Sequence, residues 1–304
     1  MERERLHIDG IITVLNTPFD TANTVDFPAV KRNVRRAVEA GVSGFLVPAM
    51  ASEVGKLTTT EREGLVQTVL EECDGTVPVI GGASAETLEQ RVENVRRITS
   101  LGCDGALVAV PYEDDASYRR TLEALAAEEP PFLMIQDWDF NGYGAPVELI
   151  ATLFEEIPAF RSLKVEVVPA GIKYSQVLEA TGGNLHVAGG WAVGQMIEGL
   201  DRGVHAFMPT GMHEIYCEIY RRYTTDNRAG AEALFRELLP VLAFANQHLD
   251  ISIHFFKRLL YREGVFPTPA VREPTLPFDR VHEAVAAELM ELAMRLTRKI
   301  GEKS

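Results

Sequence analysis

Three widely separated junctions in the chain share one pattern: Ala40-Gly41-Val42-Ser43-Gly44, Leu101-Gly102-Cys103-Asp104-Gly105 and Arg202-Gly203-Val204-His205-Ala206. In each, a glycine follows an amphipathic segment by one or two residues, and an apolar run begins shortly after. Helix stop, tight turn and next strand is the joint of a repeating strand–helix unit. Apolar runs at 10–16, 44–48, 78–81, 105–110, 131–136, 162–167, 185–189 and 205–209 are the expected strands. Between them, residues 30–40, 61–72, 87–100, 118–127, 146–155, 171–180 and 193–202 carry helical spacing of apolar side chains. Thr58 to Glu61 offers a hydroxyl cap followed by an acid, and Pro146 suits a first helical position. Eight strands alternating with seven helices predict an α/β chain of the (β/α)8 TIM-barrel class. A dinucleotide-binding open sheet is set aside, because no G-x-G-x-x-G follows any of these strands.

Beyond the eighth strand only helical patterns follow, at 214–223, 228–247, 251–262 and 280–299, with a proline-containing stretch at 264–277. The first completes the barrel as its eighth helix. The expected organisation is therefore a barrel at 1–223 and a helical C-terminal extension at 224–304 packed on it. A chain of 304 residues is long enough for a large core without disulfides. Cys73, Cys103 and Cys217 are odd in number and far apart, so neither a disulfide framework nor a zinc site is expected. His186, His205 and His213 lack metal-ligand spacing, and no metal or cofactor is predicted. Thirty basic against 44 acidic side chains leave a net charge of −14, which argues against nucleic acid as a partner. The charged start from Met1 to Ile8 has no signal-peptide core, and no apolar run reaches membrane-span length. A cytoplasmic protein with no membrane partner is the expectation.

Of seven lysines, Lys164 alone falls in an expected strand, Phe160-Arg161-Ser162-Leu163-Lys164-Val165-Glu166-Val167-Val168. Strands of a parallel sheet are covered on both faces, so an ammonium there is costly. Burial depresses an amine pKa and makes lysine a nucleophile toward carbonyls. The functional reading is a Schiff-base lysine. The structural one is a strand-end lysine that reaches solvent or pairs with Glu166, two residues on and on the same face.

Several strings, in order, resemble the dihydrodipicolinate synthase / N-acetylneuraminate lyase family, from about Gly10 to the C-terminal helices. They are the opening strand ending in Thr17-Pro18-Phe19, the stretch Ala51-Ser52-Glu53-Val54-Gly55-Lys56-Leu57-Thr58, Val110-Pro111-Tyr112, Leu163-Lys164 and Ala188-Gly189-Gly190. The resemblance implies a barrel enzyme that joins a lysine, here Lys164, to a 2-oxo acid, usually pyruvate. It also implies a homo-oligomer, a tetramer first and a dimer next, for which Phe255, Phe256, Leu259 and Leu260 are expected to supply apolar surface.

The chain departs from the family where protons are relayed. A threonine and two tyrosines are expected, and the matching positions hold Met50, Glu113 beside a retained Tyr112, and Ile135. No arginine follows the fifth strand, in Asp137-Trp138-Asp139-Phe140-Asn141-Gly142. The remaining candidates are Glu113 or Asp137 for acid–base work beside Lys164, with Glu113 open to a bland reading as part of the acidic run Glu113-Asp114-Asp115. Ala51, Ser52, Tyr112, Gln136, Gly189 and Gly190 are candidates for substrate binding, the glycines because they allow close backbone approach. Trp191 could form an apolar wall. These readings converge on a cofactor-independent Schiff-base lyase, an aldolase or dehydratase, acting on a small 2-oxo acid such as pyruvate or a 2-keto-3-deoxy sugar acid. The alternatives are the synthase reaction of pyruvate with aspartate semialdehyde, against which the missing hydroxyls count, and a catalytically silent barrel that only binds ligand.

Overall fold

The computed structural model describes residues 5–302; the charged start at 1–4 and residues 303–304 lie outside the described part. Eight strands follow one another in chain order: β1 Gly10–Val14, β2 Gly44–Val47, β3 Val79–Gly82, β4 Gly105–Ala109, β5 Leu133–Asp139, β6 Phe160–Val167, β7 His186–Gly189 and β8 Ala206–Phe207. They close in that order into a barrel. The helices are α1 Phe27–Glu39, α2 Thr59–Cys73, α3 Leu88–Ser100, α4 Asp115–Ala126, α5 Val147–Glu156, α6 Ala170–Ala180, α7 Met196–Asp201, α8 His213–Thr224, α9 Arg228–Ala245, α10 Leu249–Arg262 and α11 Arg280–Gly301. The (β/α)8 class expected from the alternation is the one observed. Gly41, Gly102 and Gly203 sit at φ of +89°, +89° and +86°. The three similar junctions thus share one left-handed turn, which only glycine adopts without strain.

Local signals explain most boundaries and their shifts. Asp26 caps α1 by accepting from the Ala29 N–H, and Pro28 suits its first turn, so the helix begins before the expected residue 30. Thr58 and Glu61 form the capping box of α2. The seventh helix is short, because residues Trp191–Gln195 wind as a 3-10 turn and α7 proper starts only at Met196. Strand β5 runs on to Asp139 and β6 starts at Phe160, since the pair continues in register from Met134↔Ser162 to Asp139↔Val167.

The chain forms two compact units. One comprises the residues up to Ile12 together with Pro78–Met208; the other comprises Thr13–Val77 together with Pro209–Ser304. In the first unit β3 to β8 and the start of β1 form one parallel ladder. Within it Ser162 pairs with His186 in register and shares a hydrogen bond with its Nδ1 at 2.8 Å, while His186 Nε2 lies 3.2 Å from the Ile8 carbonyl. Burial holds that imidazole neutral, its pKa pulled down to about 3.

In the second unit α1 is clasped by Arg36, which pairs with Glu214 at 2.7 Å and Glu263 at 2.5 Å. Phe255, Phe256, Leu259 and Leu260 are buried here, which corrects the expectation that they form surplus apolar surface. Phe255 packs edge-on against Phe244 of α9 and against Phe256, and Leu260 joins Ala29, Val265 and Phe266 in a closed cluster. The apolar stripe of α10 is consumed inside its own unit.

Candidate active site

Strand pleating sorts the charged side chains at the ends of β5 and β6. Gln136 pairs in register with Lys164 and Trp138 with Glu166, so these four share a face, as does Ala188, the β7 partner of Lys164. The opposite face meets the helices: Asp137 touches Lys173 of α6, and a side chain at Gly189 would touch the Tyr174 hydroxyl of α6. The Lys164 face is therefore the barrel interior, and Glu166 and Trp138 stand at the C-terminal strand ends where barrels gather functional groups.

On that face Lys164, 6% exposed, places its amine 3.1 Å from Glu166 Oε1. The same oxygen accepts the Trp191 backbone N–H at 2.7 Å. The other, Oε2, accepts from the Gln136 amide. Gly190 completes the cradle, because a Cβ there would collide with the Glu166 carboxylate. One carboxylate, held by the Trp191 N–H and the Gln136 amide, is thus fixed beside one amine. Among the described residues it is the only carboxylate recorded as an ion partner of Lys164.

The structure brings together only part of the expected site. Lys164 and Gln136 meet through Glu166, and Gly190 adjoins them. Asp137 is corrected from an acid–base candidate to a structural group: it is buried on the helix side, 2.5 Å from the amine of Lys173 and accepting the Ala145 N–H at 3.0 Å. Burial raises the Asp137 pKa and lowers that of Lys173, and the Lys173 amine also donates to the carbonyls of Tyr143 and Ala145. Its donors are filled. Gly189 likewise makes room for Tyr174 and Phe207 rather than for a ligand.

Ile135 faces away from Lys164, beside Leu163, so the side chain standing next to the lysine is Gln136. The relay hydroxyl is absent at either position. Glu113 is solvent-exposed in the loop before α4, with no recorded contact to the Lys164 cluster among the described residues. Tyr112 turns to α4, donating its hydroxyl to Asp115 at 2.7 Å, and that carboxylate raises the phenol's pKa.

Ala51 and Ser52 lie in the second unit, in a 3-10 turn at Met50–Ser52. The Ser52 hydroxyl donates to the Leu15 carbonyl at 2.5 Å and accepts the Ala49 N–H at 3.0 Å, so its proton is committed to bracing the turn. Asn16 and Thr17 clamp the same turn through the Ala51 and Ser52 carbonyls. Glu53, next in line at φ +59°, is buried and accepts from Lys257 at 2.6 Å, from the Arg272 N–H at 2.9 Å and from Lys56 at 3.3 Å. Its place in the resemblance is accounted for by this bracing.

Sequence reasoning missed two things. Lys173 is as buried as Lys164, a fact hidden because it lies in an amphipathic helix; its only signal is the acid Asp137 one strand earlier. The aromatic group Trp138, Phe140 and Trp191 was also missed as a unit: rings 138 and 140 meet edge-on at 5.8 Å, and rings 140 and 191 at 6.2 Å. Among the described residues no group of three or more His, Cys, Asp or Glu could hold a metal ion. No helix there is long and apolar enough to cross a membrane.

Comparison with known proteins bears on the fold and the family. The chain is 28% identical over 189 residues to a 4-hydroxy-tetrahydrodipicolinate synthase of Nitratidesulfovibrio vulgaris, covering 61% of this chain and 64% of the relative. Against two further curated synthases it spans about half of their length, 53% and 50%. An L-2-keto-3-deoxyarabonate dehydratase of Azospirillum brasilense is 26% identical with 94% of each chain covered. The solved dihydrodipicolinate synthase of Thermotoga maritima superposes with a TM-score of 0.84 at 20% identity, over 97% of this chain and 99% of that one, which establishes the shared fold. The model of the Dihydrodipicolinate synthetase family matches residues 7–292, and the chain belongs to that family.

Proposed function

We propose that this protein is a Schiff-base lyase in which Lys164 condenses with the ketone of a 2-oxo acid. The observation that carries the reading is the Lys164 amine, buried on the barrel-interior face, 3.1 Å from a carboxylate fixed by two further donors. In its neutral form the amine adds to the ketone carbon and water leaves, giving an iminium that acts as an electron sink. In a dehydratase, Glu166 takes the proton from the carbon next to the iminium. The C–O bond one carbon further breaks, and the departing oxygen leaves as water with that proton. In an aldolase the carboxylate instead takes the hydroxyl proton while the C–C bond electrons flow into the iminium, and it then returns that proton to the carbon of the enamine so formed, restoring the iminium. Water then hydrolyses the imine and frees Lys164.

Glu166 suits this work because its fixed position supplies general acid–base catalysis without a relay of hydroxyls. A substrate of the 2-keto-3-deoxy sugar acid type is favoured by the dehydratase relative that matches over nearly the whole chain. The synthase reaction is disfavoured, since Gln136 rather than a hydroxyl faces Lys164 and no arginine follows β5. In the second unit, the Met50 and Ala51 amides are the candidates for holding an anion, as nests of backbone N–H groups do. Function in the cytoplasm, without cofactor and as a homo-oligomer, a tetramer first, completes the proposal.

Borohydride reduction in the presence of pyruvate tests it. One ligand mass per chain, mapped to Lys164 and absent in Lys164→Ala, is the expected result. An adduct on Lys173 or Lys56, or none, refutes the reading.

A further inference from the structure

The strand end beyond Lys164 is unusual in what it exposes. Trp138, the register partner of Glu166, is 45% exposed, and Phe140 is 44% exposed. Phe140 links the Trp138 ring to the Trp191 ring, and the Trp191 backbone N–H binds the same Glu166 oxygen that touches the Lys164 amine. The aromatic trio therefore begins one carboxylate away from the nucleophile, at the C-terminal strand ends beyond Lys164.

Charge is absent from this rim in the form a carboxylate tail would need. Asp139 is the ionisable side chain in the segment, and it is turned onto its own loop, accepting from the Asn141 and Gly142 N–H groups at 3.0 and 2.8 Å. Lys173 of α6 is spent on Asp137 behind the strand. Among the described residues no Lys or Arg is seen over the three rings, whereas a flat apolar tail would find ring surfaces with centroid spacings suited to edge and offset contacts.

We propose that this rim is a binding site for an aromatic tail, so that within the 2-oxo acids the substrate class is one carrying an aryl group a few carbons from its ketone, in place of the polyhydroxylated tail that the dehydratase relative suggests. The proposal rests on the Schiff-base reading of Lys164 for the ketone end, and on the rim alone for the tail.

The chain's two tryptophans are both in the rim, which makes intrinsic emission a direct reporter. The probes are pyruvate and 4-phenyl-2-oxobutanoate for borohydride trapping, and 4-phenylbutanoate, which has no ketone, for emission titration. The expected result is half-maximal trapping at a concentration about tenfold lower for the phenyl acid than for pyruvate, as burial of one ring against aromatic walls supports. 4-Phenylbutanoate should shift tryptophan emission saturably, and Phe140→Ala, which keeps both reporters, should reduce the preference for the phenyl acid at least about fivefold. Equal half-saturation for the two 2-oxo acids overturns the proposal, as does a preference that survives Phe140→Ala. Emission that changes with protein concentration in the absence of ligand would assign the rings to contact between copies, and also overturns it. If pyruvate gives no adduct, the Schiff-base reading falls while the 4-phenylbutanoate titration still decides the tail site.

Discussion

Each compact unit buries a lysine against a carboxylate, and the two pairs differ in what surrounds them. In the second unit the side chains of Lys257 and Glu53 are both fully enclosed, 2.6 Å apart, with the amine 4.1 Å above the Phe19 ring. Glu53 is saturated by Lys56 and the Arg272 N–H. In the first unit Lys164 faces Glu166 at the longer distance of 3.1 Å, in a strand end that opens toward exposed aromatic rings. Burial lowers the Lys257 pKa to about 8, yet its side chain is fully enclosed and nothing can reach the amine. A depressed amine pKa is therefore not the mark of the reactive lysine. A place at a strand end leading to exposed aromatic rings, and a carboxylate held by two further donors, distinguish Lys164.

The largest way to break this contrast is chemical. Mapping of the reduced pyruvate adduct should find it on Lys164 and not on Lys257 or Lys173, and an adduct on either buried lysine would erase the distinction. Next, Glu166→Gln should lower turnover by about 10²–10⁴-fold, the usual worth of a positioned acid–base group, while leaving some imine trapping. Turnover unchanged in that variant would reduce Glu166 to an ion partner.

Stability should report the contrast in reverse. Lys257→Met leaves Glu53 Oε1 without its donor in the interior, with Lys56 and the Arg272 N–H only on Oε2, and should cost about 3 kcal/mol in denaturant unfolding, with much of it restored by adding Glu53→Gln. Lys164→Met, which leaves Glu166 the Gln136 amide and the Trp191 N–H, should cost less. Equal losses at the two lysines would show that both are structural.

A smaller effect comes from acid, and it acts on both units alike. His186 in the first unit and His213 in the second are buried neutral, their pKa values pulled from 6.5 to about 3 and about 4. His213 is braced by Thr13 and Asn33, each at 3.2 Å. The unfolded chain takes up protons below about pH 6.5 while these two rings do not, so stability is full above that pH and is lost as pH falls toward 4 and 3. Each ring should contribute about 2 kcal/mol of loss by about pH 5. Replacing either by Gln should flatten the unfolding free energy between pH 7 and 5, and an unchanged slope would show the rings are not held neutral.

The barrel was legible because its signals are local. Glycine stops, capping residues and apolar runs each act within a few residues, and eight repeats of them leave one architecture. Lys164 was legible for a related reason, as a charge inside an apolar run. What was not legible was the phase of the pleat. Gln136 and Asp137 are adjacent polar residues ending one strand, and only pairing with β6 decides that 136 faces Lys164 and 137 faces α6. The same one-residue ambiguity placed Ile135 where Gln136 stands. The burial of Phe255 and Leu260 was hidden because it depends on packing between distant segments rather than on the helix that bears them.

The smallest and sharpest test uses the pleat itself, at two adjacent glycines. At Gly190 a methyl group would strike the Glu166 carboxylate, the far end of a side chain that can rotate away. Gly190→Ala should therefore leave the fold nearly intact, still permit trapping on Lys164, and reduce turnover about tenfold by displacing the acid–base group. At Gly189 the methyl would point to the helix side, 2.8 Å from the Tyr174 hydroxyl and 3.0 Å from Phe207, both fully buried. Gly189→Ala should cost about 1–3 kcal/mol of stability through overpacking, with turnover per folded molecule little changed. The two variants thus separate the interior face from the helix face with one methyl group each. If Gly190→Ala destabilises while Gly189→Ala loses turnover, the assignment of Lys164 and Glu166 to the interior face is wrong.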